Sequence, residues 1–292
     1  MFELQNATYR IGAKTLVDGV SLCLRPGEVL AVIGANGAGK TTLLRLLSGE
    51  LRPTEGAVWL DGRALASSDA EMLARRRAVL PQQSTLTFGF TAMEVVLLGR
   101  TPHRTRHVHD LDVARRAMQA AGVTHLAERS YPTLSGGEQQ RVHLARALAQ
   151  IWDAPEDGHR YLLLDEPTAS LDLAHQHGVL RTARRCARAG VGVLAVLHDL
   201  NLAAQHADRI AVLCRGRLLA EGPPEAVLTP EIIRRAFDIS VFVTEHPCAA
   251  CLLIVPVPED AVAERLPAYS GYLAQNSHAS TPLMHPEAAS NT

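Results

Sequence analysis

Polar and apolar residues alternate from position 1 to 33, with breaks at Gly12 and Pro26-Gly27, and the stretch closes on an unbroken apolar run, Val29-Leu30-Ala31-Val32-Ile33. Alternation predicts strands with one solvated face, and the continuous run predicts a strand covered on both faces. Gly34 to Gly39 reads as a glycine-rich turn, and Thr41 to Leu47 as a helix ending near Gly49. Ala57-Val58-Trp59-Leu60 is strand-like among the turn residues of Pro53 to Gly62. Asp69 to Arg77 has the pattern of an exposed helix and leads to Ala78-Val79-Leu80. Residues 91 to 150 are mostly helical in pattern. Tyr161-Leu162-Leu163-Leu164 ends in Asp165-Glu166, Val191 to Leu197 ends in His198, and Ile210 to Leu213 with Arg217 to Ala220 flank Arg215-Gly216 as a hairpin.

Apolar strands separated by helical segments predict an α/β fold. Its sheet is mainly parallel and covered on both faces, with strand C-termini presenting residues to a ligand in the loop crevice. After about Glu259 the pattern gives way to Ala, Ser, Pro and His, so residues 260–292 are expected to form a disordered or loosely docked tail.

Composition narrows the classes. The 292 residues, 47% hydrophobic and 20% charged, suffice for a large core in one globular unit. Lys and Arg number 29 against 30 acidic residues, a net −1, which provides no global field for nucleic acid. No apolar stretch reaches the roughly 18 residues of a spanning helix, and the start carries Glu3 and no apolar core of a signal peptide, so a cytoplasmic location is expected. The five cysteines, Cys23, Cys186, Cys214, Cys248 and Cys251, are sparse and odd in number, and free thiols are expected.

The segment Gly34-Ala35-Asn36-Gly37-Ala38-Gly39-Lys40-Thr41, followed by Thr42, fits a P-loop and lies where that pattern has meaning, between a predicted strand and a predicted helix. Its glycines let backbone N–H groups turn toward phosphate oxygens, Lys40 brings charge to the β and γ phosphates, and Thr41 offers a hydroxyl to Mg²⁺. Asp165 and Glu166 are delivered to the same sheet edge, Asp165 suited to Mg²⁺ and Glu166 to polarising an attacking water. His198, at the next strand end, is placed to bond a γ-phosphate or orient that water. Ser135 caps a helix whose glycines, Gly136 and Gly137, expose N–H groups as a second anion site.

With Leu134-Ser135-Gly136-Gly137-Glu138-Gln139-Gln140-Arg141, the chain resembles the nucleotide-binding subunits of ABC transporters over roughly residues 1–240. The resemblance implies a P-loop NTPase (RecA-like) core, an N-terminal antiparallel β subdomain and an α-helical signature subdomain inserted at about 86–150 within an ATPase domain of 1–259. It implies ATP and Mg²⁺ as cofactors and a homodimer in which Ser135, Gly136, Gly137 and Glu138 close on the partner's ATP. Tyr9 resembles the aromatic that stacks on adenine. Gln82 resembles the glutamine that reaches Mg²⁺ and the water, with Gln83 a neighbouring competitor. Ser170-Leu171-Asp172 resembles the loop linking the two sites, although residue by residue it also reads as a turn or helix cap. Glu138 departs from the Gln of many members.

Val96-Leu97-Leu98-Gly99-Arg100-Thr101-Pro102-His103 and Leu197-His198-Asp199-Leu200-Asn201-Leu202-Ala203-Ala204 look like importers of iron chelates, haem and vitamin B12. The polar insertion Trp152 to Arg160 and the run Ser170 to His177 are similar to haem import ATPases, which implies two membrane permease subunits and, indirectly, a solute-binding protein at a bacterial inner membrane. Vitamin B12 or ferric-siderophore import is the alternative within that group, and a soluble ABC ATPase acting on ribosomes or DNA is the alternative outside it. Arg100, His103, Arg104, Arg106, His107 and His109 are irregularly spaced and read as a solvated face. His246-Pro247-Cys248-Ala249-Ala250-Cys251 falls short of a four-ligand metal site.

Overall fold

The computed structural model describes residues 1–82, 89–169 and 171–258. Gln83, Ser170 and the expected tail lie outside the described residues.

In chain order the elements are β1 Phe2–Ile11, β2 Lys14–Leu24, β3 Val29–Ile33, α1 Lys40–Ser48, β4 Glu55–Leu60, β5 Arg63–Ala64, α2 Ala70–Arg76 and β6 Arg77–Leu80. They continue as α3 Ala92–Leu97, α4 His107–Ala120, α5 Gly136–Gln150, β7 Tyr161–Asp165, α6 Leu173–Arg188, β8 Gly192–Val196 and α7 Leu200–His206. The last are β9 Arg209–Cys214, β10 Arg217–Gly222, α8 Pro224–Val227, α9 Pro230–Phe237, β11 Val241–Glu245 and β12 Leu252–Pro256.

A six-stranded sheet runs β10-β9-β3-β8-β7-β6, parallel throughout except for the edge strand β10. A four-stranded antiparallel sheet, β2-β1-β4-β5, is built almost wholly from the N-terminal sixty residues. Successive side chains of a strand leave on opposite faces, and the core follows that rule. Val29, Ala31 and Ile33 join the cluster that holds α3 to α7, whereas Leu30 and Val32 join the one that holds α1 and the antiparallel sheet. β7 and β8 divide the same way, which explains their unbroken apolar sequence. Arg215 and Gly216, both at positive φ, make the two-residue turn between β9 and β10.

The basic stretch read as solvated behaves otherwise at its first residue. Arg100 is only 3% exposed, and its guanidinium bonds Asp110 at 2.8 Å, Asp153 at 2.6 Å and the Ala149 carbonyl at 2.9 Å. It thereby ties α4 and the end of α5 to the polar insertion, burying its charge only because that charge is paired on two sides. His103 follows it inward, with Nε2 2.7 Å from the Gln150 carbonyl, while Arg104 and His109 are exposed. The C-terminal hairpin β11-β12 is fastened to α7 by Asn201, which accepts from Ile254 N and donates to Ile254 O. His246, Cys248 and Cys251 lie in its turn, and no group of three or more metal-ligating side chains occurs among the described residues. All five cysteines are free thiols.

Candidate functional site

The phosphate loop connects β3, buried at every position, to α1, whose first residue is Lys40. Its shape is forced from two sides. A Cβ on Gly34 would lie 2.3 Å from the Leu213 carbonyl oxygen of β9, and one on Gly39 would lie 2.5 Å from that of Leu16 in β2. Gly39 is also at φ +101, in the left-handed region, where it serves as N-cap of α1. Lys40 is 5% exposed, and its ammonium donates to the carbonyls of Gly34 at 2.8 Å and Ala35 at 3.0 Å. Burial lowers its pKa, while Glu166 and Asp165 nearby oppose that shift. Asn36, Gly37 and Ala38 complete the turn, with Ala38 N bonded to Ala35 O, and Thr42 follows Thr41 in the first turn of α1.

Asp165 ends β7 and faces Thr41, whose hydroxyl donates to its carboxylate at 3.3 Å. Burial raises the Asp165 pKa, and Glu166 beside it adds to the effect. A buried, destabilised carboxylate next to a hydroxyl at a helix N-terminus suits a divalent cation, which restores the charged form. The glycine cradle, the buried ammonium and this oxygen pair therefore fit a magnesium-bound triphosphate.

Glu166 follows with φ +50, a left-handed backbone that swings it away from the line of the strand. One carboxylate oxygen accepts from Gln82 Nε2 at 2.6 Å, and the other lies 2.6 Å from His198 Nε2. Three residues remote from one another in the chain thus converge. Gln82 lies just past β6, and His198 lies two residues beyond β8, a little farther than the expected strand end. Sequence reasoning missed a fourth member. Gln140 of α5 donates to the Glu166 main-chain oxygen at 3.3 Å, a contact that only the tertiary fold creates.

Ser135 caps α5 as expected, and Glu138 completes a reciprocal capping box, accepting from Ser135 N at 2.8 Å and Ser135 Oγ at 2.9 Å. Those hydrogen bonds hold the Glu138 pKa below the usual range, with Arg129 3.3 Å away contributing. Gly136 and Gly137 form the first turn of α5, with open space where a Gly136 Cβ would stand. Asp172 caps α6 by accepting from His175 N at 2.9 Å and contacts His175 Nδ1 at 2.7 Å. Tyr9 is half-buried on β1, opposite Val17 and next in register to the strand that presses on Gly39. Among the described residues, Ser135, Asp172 and Tyr9 make no hydrogen bond to Glu166, Gln82 or His198.

Residues 17–169 match the family described as ABC transporter, a little over half of the chain. The chain belongs to the ABC transporter family. It is an ATP-binding and ATP-hydrolysing subunit of that family. It is 57% identical over 266 residues to the hemin import ATP-binding protein HmuV of Gloeobacter violaceus, covering 90% of this chain and 97% of that one. HmuV of Myxococcus xanthus is 56% identical over 239 residues, 81% of this chain and 90% of that one. Among solved structures, a chain assigned to the metal-chelate type of ABC transporter, in an inward-facing conformation, superposes with a TM-score of 0.74 at 28% identity over 89% of this chain and 98% of that one. The dimeric bacterial ABC transporter cassette MJ0796 gives 0.67 at 29% identity over 77% and 99%. No helix among the described residues of the ABC subunit is long and apolar enough to cross a membrane.

Proposed function

We propose that this ABC subunit works as a homodimer that energises a bacterial haem importer, docked on two permease subunits at the cytoplasmic face of the inner membrane and served by a solute-binding protein. The observation that carries the catalytic part is the convergence of Gln82 and His198 on the two oxygens of Glu166, beside the Thr41–Asp165 pair. The domain limits expected from sequence, 1–259 with a helical insertion at about 86–150, are kept within this reading.

In this reading Tyr9 stacks on adenine, residues 34–42 hold the phosphates, and Thr41, Asp165 and Gln82 hold Mg²⁺. The cation, when bound, screens and polarises the phosphate oxygens. Glu166 takes the proton from water. Its carboxylate is aimed by the Gln82 hydrogen bond and the His198 contact, which leave lone pairs free for the water. As the water oxygen bonds to the γ-phosphorus and the bond to the β-phosphate oxygen breaks to release ADP, His198 would exchange its Glu166 contact for the charge developing on the γ-phosphate. Ser135, Gly136, Gly137 and Glu138 would face the partner's nucleotide, and Asp172 would border the seam between the two sites. The dimeric MJ0796 cassette supports the pairing, and the HmuV relatives support the cargo.

Glu166→Gln keeps the size of the side chain and one acceptor but removes the base. ATP binding should persist, measured by equilibrium titration, while turnover drops by about 10² or more. Near-normal turnover would reject Glu166 as base. Cargo is tested by reconstituting the subunit with the permease encoded beside it. ATP hydrolysis should rise with haem-loaded binding protein. Stimulation only by vitamin B12 or a ferric siderophore would remove the haem assignment and leave the ATPase intact.

A further inference from the structure

Away from the nucleotide site, a cleft of about 780 Å³ opens between the helical layer and the core, where α6 and α7 meet α4 and α5. Four arginines of α6, Arg181, Arg184, Arg185 and Arg188, line it at the spacing of one helix face, and Arg141 of α5 approaches from across the cleft. No acidic side chain lines it. In a chain of net charge −1, that local density of cation is a feature of the fold rather than of composition.

Part of this charge has an internal partner. Arg185 donates to the Ala120 carbonyl that ends α4, and Arg184 bonds the His206 carbonyl at 2.8 Å and lies 3.5 Å from Asp208. Arg181 and Arg188 make no hydrogen bond or ion pair among the described residues. They stand seven residues apart, roughly 10 Å along the helix, farther than one phosphate or carboxylate spans.

A second, independent feature lies in the same cleft wall. His206 is 8% exposed and contacts His177, with its Nε2 3.1 Å from His177 Nδ1. Its own Nδ1 is buried without a hydrogen-bond partner among the described residues. In the tautomer where His177 donates to the His206 Nε2, the His206 Nδ1 carries the proton and is an unpaired buried donor, an arrangement that native interiors avoid unless an acceptor or a water completes it.

We propose that this cleft binds a small molecule carrying two or more phosphate or carboxylate groups, held chiefly by Arg181 and Arg188 along the α6 wall of the cleft. Guanidinium groups meet such anions bidentately, so each arginine contributes orientation as well as charge.

The test is isothermal titration of the full chain, kept saturated with ADP so that the phosphate loop is filled, with tripolyphosphate in one arm and citrate in the other, at about 0.15 M salt. Binding in either arm is expected, the stronger arm identifying phosphate or carboxylate chemistry. Arg181→Ala with Arg188→Ala should weaken it at least about tenfold. The exposed pair Arg63→Ala with Arg234→Ala should leave it unchanged, and both double variants should keep wild-type thermal unfolding and ATP hydrolysis. Absence of binding in both arms overturns the proposal, and so does equal weakening by the two double variants.

Discussion

Glu138 joins two structural roles at one position. Its carboxylate closes the capping box on Ser135 and pairs with Arg129, so the first turn of α5 is held from both ends. Glu138→Ala should lower the thermal midpoint by roughly 2–4 °C, the scale of a lost helix cap in a chain of this size, whereas Glu138→Gln retains an acceptor and should stay near wild type in differential scanning calorimetry. Residues of this kind are legible in the sequence itself. Lys40, Thr41, Asp165, Glu166, Ser135 and His198 follow from local rules, because a strand end or helix start fixes where the side chain goes. Gln140 obeys no local rule. It reaches Glu166 across 26 residues only because α5 packs over the end of β7. The left-handed backbone of Glu166 is equally hidden, since Glu carries no preference for it.

Elements were legible in proportion to their burial. β3, β7 and β8 lie in the middle of the parallel sheet and read as pure apolar runs, whereas β11 and β12 are a short, half-exposed pair whose alternation covers too few residues to separate strand from loop. The helical pattern over 91–150 resolves into three α-helices joined by short 3-10 turns, with the connection between α3 and α4 organised by Arg100. Charge density made that connection look solvated, and only its carboxylate partners, Asp110 and Asp153, show otherwise. Arg100→Ala leaves both carboxylates and the Ala149 carbonyl without their shared donor. It should cost about 3 kcal/mol in urea unfolding, and Arg100→Lys should recover part of that loss because an ammonium meets fewer acceptors at once.

Across the whole molecule, Asp61 fastens the N-terminal sheet to the core. It sits beyond β4 and receives the Met1 ammonium at 2.5 Å, the His159 N–H at 3.0 Å and the Tyr161 hydroxyl at 3.1 Å, with Arg76 at 3.7 Å. Burial works against its charge. The ammonium and the His159 hydrogen bonds outweigh that effect and bring the pKa down to about 2 from an ordinary 3.8. A depressed carboxylate pKa stabilises the fold above the unfolded value, and that contribution disappears as pH falls through the folded one. The stability gap between wild type and Asp61→Asn, at most about 2 kcal/mol, should therefore be nearly flat between about pH 5 and pH 7, where the Met1 ammonium keeps its charge, and close between about pH 4 and pH 2. Urea titrations across that range measure it, and a gap that widens with acid would reject the assignment.

The bond from Gln140 to the Glu166 main chain has a consequence for timing. In the proposed dimer, the helix that a chain lends to its neighbour begins at Ser135 and, little more than a turn later, grips the backbone of its own Glu166, the base proposed above. A displacement of that carboxylate during one turnover would tug on the segment serving the other nucleotide. Two chambers connected so closely would fire in step or in strict alternation rather than as independent engines.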